Sequence, residues 1–280
     1  MKTSFKLSSL RFSGAGFSFL LLTISFLSPA QAQVVPLPNA HAHNDYMQPR
    51  PLLDALSHGF TSLEADVLLI DGELYVGHDM PEGEHNLPTL KKAYLDPLAR
   101  VIDNNRGEVY PDFDGEFFLM IDLKTEAEAS YAVLRKQLTD YAHILSQFKN
   151  GQYYPGALTI FLSGNRPIGT VSQEKTRYAG LDGRPEDLGK GHSADLMPVI
   201  SENYFKVIRW NGEGEIPAAD FLKLKQLAIR AHNEDKKVRL WAAPDQENVW
   251  AMLQRAGIDL INTDRLPELK EYLLKGHAEH

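Results

Sequence analysis

The chain has 280 residues, 43% of them hydrophobic and 24% charged, with 37 acidic against 29 basic side chains and no cysteine. That length and composition fit a single α/β barrel or one to two smaller domains. The lack of cysteine excludes disulfides, thiolate metal ligands and a cysteine nucleophile, and the net charge of −8 argues against nucleic acid and anionic lipid surfaces as partners.

The first element is a leader. Lys2, Lys6 and Arg11 precede a mostly apolar run from Gly14 to Leu27, and the small residues Ala30 and Ala32 follow. This is the layout of a secretory signal peptide over residues 1–32, cut after Ala32. The run is short for a bilayer span, which needs about 20 apolar residues. No other segment is long and apolar enough to span, so the mature chain, residues 33–280, is expected to carry no transmembrane segment. Cleavage removes three of the 29 basic residues and no acid, leaving 26 against 37. The expected location is periplasmic or secreted, with a fold held by its core alone.

Apolar, β-branched and aromatic runs then alternate with helix-like segments. Strands are predicted over Val34–His41, Ser62–Leu69, Phe117–Lys124, Ala157–Ser163, Tyr178–Asp182, Pro198–Asn203, Val238–Ala242 and Asp259–Thr263. A short extra strand, Glu73–His78, follows the turn Asp71-Gly72. Leu87–Asn105 is predicted as one helix broken or kinked at Pro97. Thr125-Glu-Ala-Glu128 fits a capping box for a helix carrying Tyr131, Leu134, Leu138, Tyr141, Leu145 and Phe148, closed by Gly151. Pro217 opens another helix, and Asp245 is placed to cap the helix from Gln246 to Ala256, which ends at Gly257. Eight strands with intervening helices point to a single (β/α)₈ TIM-type barrel, whose site lies in the loops after the strands.

Polar residues interrupt these strands at a spacing that carries chemistry. Side chains in a strand alternate faces, so residues two apart point the same way. Leu63, Ala65 and Val67 therefore face one side while Glu64 and Asp66 face the other. Leu119, Ile121 and Leu123 likewise oppose Asp122 and Lys124. Carboxylates converging on one spot are costly to bury alone, and a cation removes the cost. Glu64, Asp66 and Asp122, with no cysteine available, match one hard divalent cation, Mg²⁺ or Ca²⁺, completed by water and substrate oxygen.

Histidines stand at the same strand ends. His41 and His43 lie in the stretch NAHAHNDY, residues 39–46, and His78 follows the extra strand. Two imidazoles flanking a phosphate suit paired general base and acid work near neutral pH. Lys124 points with Asp122; it either meets a non-bridging oxygen or forms an ion pair with Asp122 or Glu64. Arg166 and Trp241 are candidate substrate contacts, as is the loop bearing Arg209 and Trp210. Trp241 suits site and core equally, whereas Trp250 fits its helix's apolar stripe.

These motifs, taken together, resemble a known group. Glu64-Ala-Asp66-Val67, Asp71-Gly72 and Gly77-His78-Asp79 are similar to the signature of the PLC-like phosphodiesterases, which include the glycerophosphodiester phosphodiesterases and phosphatidylinositol-specific phospholipases C. Asp122-Leu-Lys124-Thr125 resembles a motif of the sphingomyelinase D relatives. Val238-Arg-Leu-Trp241 and Ile261-Asn-Thr-Asp264 look like the last two strands of that superfamily. The His-Ala-His-Asn-Asp-Tyr opening resembles a branch grouped with altered inheritance of mitochondria proteins. The resemblance implies a (β/α)₈ barrel, one divalent metal held by Glu64, Asp66 and Asp122, and two catalytic histidines. His78 would be the second of these. The first is His43, by its spacing to Glu64, or His41, which keeps an Asn three residues on. The diesterases carry His-Arg-Gly at strand one; this chain has neither the Arg nor the Gly, so the substrate is not carried over.

The expected function is an exported metal-dependent phosphodiesterase acting on a glycerol-, inositol- or lipid-linked phosphodiester. One alternative is an amidohydrolase- or polymerase-and-histidinol-phosphatase-type hydrolase with several histidine ligands. The other is a barrel that binds its ligand without turnover.

Overall fold

The computed structural model describes Met1 and residues 34–277. The expected signal peptide, residues 1–32, lies outside the described residues apart from Met1. Contacts divide the chain into Met1–Gln33 and Val34–His280, and the fold below is that of the second unit. No helix among the described residues is long and apolar enough to cross a membrane.

Among the described residues twelve strands form in order: β1 (Leu37–Ala42), β2 (Phe60–Ile70), β3 (Glu73–Val76), β4 (Phe118–Leu123), β5 (Gln147–Lys149), β6 (Gln152–Tyr154), β7 (Thr159–Gly164), β8 (Thr176–Arg177), β9 (Ala179–Gly183), β10 (Val199–Asn203), β11 (Lys237–Trp241) and β12 (Leu260–Thr263). The main sheet runs β1-β12-β11-β10-β9-β7-β4-β2-β3 and closes through a β1–β2 pairing. Its barrel staves pair in parallel, and β3 alone is antiparallel, folded back on β2. This is the (β/α)₈ barrel expected from the alternating pattern. Strands β5, β6 and β8 make a separate small sheet that sequence reasoning did not anticipate.

The helices are α1 (Leu53–Ser57), α2 (Asp96–Asn104), α3 (Ala127–Leu138), α4 (Ile168–Gln173), α5 (Tyr204–Val207), α6 (Ala218–His232), α7 (Glu247–Ala256) and α8 (Leu266–His277). Leu63, Ala65 and Val67 of β2 and Leu119, Ile121 and Leu123 of β4 are fully buried and join the large core cluster that also takes in Leu134, Leu224 and Trp250 from the helices. A second, small cluster holds Phe118, Met120, Phe161, Val199 and Leu260. These residues come from β4, β7, β10 and β12 and plug the barrel's interior, with the Phe118 and Phe161 rings edge-to-face at 5.9 Å.

Local expectations are corrected in four places. The helical run expected over Leu87–Asn105 starts at Leu90, and the break in its regularity falls just before Pro97. A widened π-type turn covers Lys91–Leu95 and runs straight into α2, so Pro97, which has no backbone N–H to donate, sits just past the point where the helical ladder is already widened. The capping residue of α3 is Glu126, whose carboxylate accepts from Glu128 N and Ala129 N; Thr125 Oγ1 is instead engaged by Leu69 N and Ser130. That helix ends at Leu138 rather than Gly151. Asn150 (φ 52°) and Gly151 (φ 85°) form the turn between β5 and β6, the Asn-Gly hairpin chemistry. Finally, Gln246 rather than Asp245 stands at the N-cap of α7, without a side-chain cap bond, because Asp245 is taken by Thr263 Oγ1 and Trp250 Nε1.

Candidate active site

Register brings the acids together. Asp66 of β2 pairs with Asp122 of β4, which pairs with Ser163 of β7, so these three side chains share one layer of the barrel lining. Glu64 lies one layer below, in register with Met120 and Phe161. Ligand oxygens of Glu64, Asp66 and Asp122 all fall within 4.8 Å of one another. Asp66 Oδ1 and Asp122 Oδ1 are buried with no hydrogen-bond partner. Three hard oxygen donors, two with an unclaimed lone pair, fit a divalent cation of the Mg²⁺ or Ca²⁺ kind. The chain runs tight here: Gly164 has φ +65°, and a Cβ on it would overlap Asp122 Oδ1 and the Leu123 carbonyl.

Basic groups offset the acids. Lys124 Nζ lies 3.0 Å from Asp66 Oδ2 and 3.3 Å from Asp122 Oδ2, the ion pairing weighed for it, though with Asp66 as well as Asp122. Arg239, buried on β11, donates from Nη2 to Glu64 Oε2 at 2.7 Å and from Nε to Asn262 Oδ1 at 2.8 Å. Burial would lift the Glu64 carboxyl, but the Arg239 guanidinium and then His41 hold it down to about 2. Asp66 goes the other way. Burial outweighs Lys124 and, with Glu64 and Asp122 adding repulsion, lifts it to about 6. Burial also lifts Asp122 against the pull of Lys124. For Lys124 itself burial disfavours the charge, but Asp122 and Asp66 prevail and its pKa rises.

The two strand-one histidines differ in access. His41 is fully buried, its Nδ1 2.7 Å from Ser62 Oγ and its Nε2 3.5 Å from Glu64 Oε2. Burial and then Arg239 lower its pKa to about 3, so it stays a neutral prop beneath Glu64. His43 lines the cavity, with Nε2 3.9 Å from Glu64 Oε2 and Nδ1 2.8 Å from Asp264 Oδ1. A carboxylate on Nδ1 favours the tautomer with the proton there and Nε2 as acceptor, while Asn44 Nδ2 also lies 3.1 Å from Nδ1. Its backbone is held by a hydrogen bond from His43 N to the Thr263 carbonyl.

His78 reaches the same cavity by another route. Strand β2 is eleven residues long and overruns the barrel rim. The Asp71-Gly72 turn sends β3 back along it, and Gly77 N donates to the Asp66 carbonyl at 3.0 Å. His78 therefore stands on the rim, half-exposed, with Nδ1 2.9 Å from Asp79 Oδ1.

The cavity has a volume of about 800 Å³. His43, Glu64, His78, Asp122, Lys124 and Trp241 all line it. Arg166 does not: it lies in a neighbouring cleft and donates from Nη1 to the Asp182 carbonyl. Its expected place as the arginine on the cavity wall is taken by Arg184. Neither Arg209 nor Trp210 lines it; the Trp210 indole donates to the Glu213 carbonyl.

Sequence reasoning passed over several residues here. Arg239 stands between Val238 and Leu240, and Asp182 follows Leu181 within a strand. A charge inside an apolar strand is the signal that marked Glu64, and it applied equally to both. Tyr46 was within the quoted opening motif but had no assigned task. Its hydroxyl donates to Asp66 Oδ2 at 2.9 Å, and it lines the cavity. Asp45 turns the other way, into the core, accepting from Leu52 N and Tyr94 OH. Asn44, Leu52 and Ala242 all carry positive φ near this mouth, backbone strain of the kind that gathers at working sites.

Comparison with known proteins agrees with the resemblance of the motifs. A family model described as the AIM6-like phosphodiesterase domain matches residues 29–181, the stretch that contains His41, His43, Glu64, Asp66, His78, Asp122 and Lys124. Altered inheritance of mitochondria protein 6 of Eremothecium gossypii is 30% identical over 279 residues, covering 84% of this chain and 69% of its own length. The homolog from Arthroderma benhamiae is 27% identical over 268 residues, covering 85% and 84%. The Saccharomyces cerevisiae protein is 26% identical over 285 residues, covering 86% and 72%. The chain therefore belongs to the AIM6-like phosphodiesterase domain family.

Proposed function

We propose that this phosphodiesterase-like barrel is a divalent-cation-dependent phosphodiesterase, acting on a glycerol-, inositol- or lipid-linked phosphodiester. The observation that carries the reading is the set of three acid oxygens within 4.8 Å, two of them with an unpartnered buried Oδ1, beside the open Nε2 of His43. Glu64, Asp66 and Asp122 would hold the cation, Mg²⁺ or Ca²⁺. When bound it supplies charge stabilisation to phosphoryl oxygens.

The chain's own residues then divide the proton work. His43 Nε2, with Asp264 favouring the proton on Nδ1, takes the proton of the attacking hydroxyl, which is water or a hydroxyl beside the phosphate. His78, on the rim beyond Asp66, gives a proton to the leaving oxygen. Lys124 sits between Asp66 and Asp122 and donates to a non-bridging oxygen as charge builds there. His41 and Arg239 keep Glu64 in place from below. The all-oxygen donor set disfavours the alternative hydrolase classes, which rely on several histidine ligands. The leader-like start supports export as the setting for this reaction.

The test is turnover of a chromogenic phosphodiester by wild type, Asp66→Ala and His78→Ala. Each substitution is expected to lower turnover at least about a hundredfold while the protein stays folded by circular dichroism. Chelator is expected to abolish wild-type turnover and Mg²⁺ or Ca²⁺ to restore it. Full activity in both variants removes the mechanism, and activity indifferent to chelator removes the cation.

A further inference from the structure

The cavity wall carries three cationic side chains: Lys124, Arg239 and Arg184. Two are spent on the acid cluster. Lys124 bridges Asp66 and Asp122, and Arg239 is committed through Nε and Nη2 to Asn262 and Glu64, with Nη1 3.4 Å from Met120 Sδ. Arg184 touches none of those acids. Its Nη1 donates to Asp182 Oδ2 at 2.7 Å and to the Gly183 carbonyl at 2.9 Å, with the Asp182 carbonyl at 3.3 Å. Its Nε and Nη2 have no protein partner among the described residues.

The anchor under Arg184 is built. Asp182 is fully buried on β9 and accepts from Ser163 Oγ at 2.8 Å on the same Oδ2. Arg166 donates to the Asp182 carbonyl from the adjoining cleft. The Arg184 backbone is fixed too, since its N–H donates to Asp187 Oδ2 at 2.9 Å. One corner of the guanidinium is thus pinned while the opposite Nε–Nη2 edge is unclaimed at a cavity. That edge is the two-pronged donor that matches a pair of oxygens on a phosphate or carboxylate.

We infer that Arg184, pinned by Asp182 and Ser163, forms an oxyanion subsite on the β9 side of the cavity, separate from the acid cluster, that grips a phosphate-type group of the substrate. Strands β4 and β9 are two steps apart in the sheet, about 10 Å along the wall. An arginine side chain and one phosphoester linkage bridge such a distance. The gripped oxygens belong either to the scissile diester or to a second acidic group on its alcohol. Arg184 is then a substrate-binding residue, and Asp182 and Ser163 are positioning residues. The inference deepens the phosphodiesterase reading by naming what orients the substrate, and it rests on that reading for turnover alone.

The experiment has a binding arm and a kinetic arm. Inorganic phosphate is titrated into wild type, Arg184→Met, Arg184→Lys and Asp182→Asn by ³¹P line broadening, with folding checked by thermal melts. Wild type is expected to bind phosphate, and Arg184→Met to bind it about ten- to a hundredfold more weakly. Arg184→Lys keeps the charge but not the fork and should fall between. Asp182→Asn should also weaken phosphate, read at a temperature well below its own melt, which loss of the buried pair is expected to lower. The kinetic arm compares a plain chromogenic diester with one bearing an added phosphomonoester on its alcohol. A rise in KM larger than the fall in kcat is expected in Arg184→Met. Equal losses on both substrates place the gripped oxygens on the scissile group, and loss on the second alone places them on the alcohol.

Phosphate binding that is absent in wild type, or equal in wild type and folded Arg184→Met or Arg184→Lys, overturns the subsite. If wild type turns over no diester yet binds phosphate through Arg184, the phosphodiesterase reading fails and the subsite stands. If turnover obeys Asp66 and His78 but neither arm responds to Arg184, the subsite fails and the reading stands.

Discussion

On the outer face of the sheet, Leu63, Ala65 and Val67 of β2 and Leu119, Ile121 and Leu123 of β4 meet the helices through apolar contact alone. On the inner face of the same two strands, Ser62, Glu64, Asp66 and Asp122 each lean on a named polar partner. The outer face is held by area removed from water, which is non-directional and forgiving of shape. The inner face is held by pairing, in which losing one member strands another in a place water does not reach. The small interior cluster of five apolar residues gives the lining hydrophobic support from below. The barrel can therefore be robust on one face and brittle on the other, and substitutions on the two faces should show it.

The largest effect is expected at Arg239. It is almost fully buried and supplies the first positive charge that holds Glu64 ionised. Arg239→Met fills similar space but leaves the Glu64 carboxylate unpaired, a loss of about 3–5 kcal/mol for a broken buried pair. Urea unfolding of the chelator-treated protein measures it. Adding Glu64→Gln should recover most of the loss, since the stranded charge is gone. A double variant no more stable than Arg239→Met would mean that packing, not pairing, holds the lining.

The next effect is a pH dependence carried by Asp45, which is fully buried under the His43 loop. Burial lifts its pKa to about 6, against hydrogen bonds from Leu52 N and Tyr94 OH that pull it down. The native state therefore binds a proton that the unfolded chain has released between about pH 4 and pH 6, and stability falls as pH rises through that window. The contribution is greatest below the unfolded pKa and is gone above the folded one. Two pKa units correspond to about 3 kcal/mol. Asp45→Asn can still accept from both donors and cannot ionise. Its stability relative to wild type should thus improve from pH 4 to pH 7 by about that amount, read from urea midpoints at the two pH values. A constant difference would show that Asp45 does not titrate in this range.

How much of this was legible in the sequence follows the same division of faces. The outer face announced itself: alternating apolar residues placed all eight barrel strands, and Asp71-Gly72 placed the hairpin that carries His78. The acids were visible because each broke an apolar strand with a period of two. Arg239, Asp182 and Ser163 broke strands in the same way, but Arg239 meets Glu64 only through barrel closure and Ser163 meets Asp182 only through the pairing of β7 with β9, while Arg184 stands just two residues past Asp182. Arg166 and Arg184 were indistinguishable as arginines near a strand end until the fold showed which lines the cavity. Helix ends failed where a side chain had a better long-range partner, as Thr125 has in Leu69 N and Asp245 has in Thr263. Asn150-Gly151 ends no helix because two short strands pair across it.

The smallest effect is expected on the outer face. Ile121 is fully buried against the helices, between Met120 and Asp122, which face inward. Ile121→Val removes one methylene and leaves polarity, backbone and strand preference unchanged, so the loss should be about 1 kcal/mol. Its neighbour Asp122 is one residue away in sequence but lies on the other side of the sheet, where no atom has been removed. Turnover of the chromogenic diester should therefore stay within about twofold of wild type, a barrier change well under 1 kcal/mol. Urea unfolding and kinetics on the same preparation check both halves. If so slight a change outside the barrel cut turnover tenfold, the lining would depend on the packing of the outer face, and the two faces of the sheet could not be treated as separate.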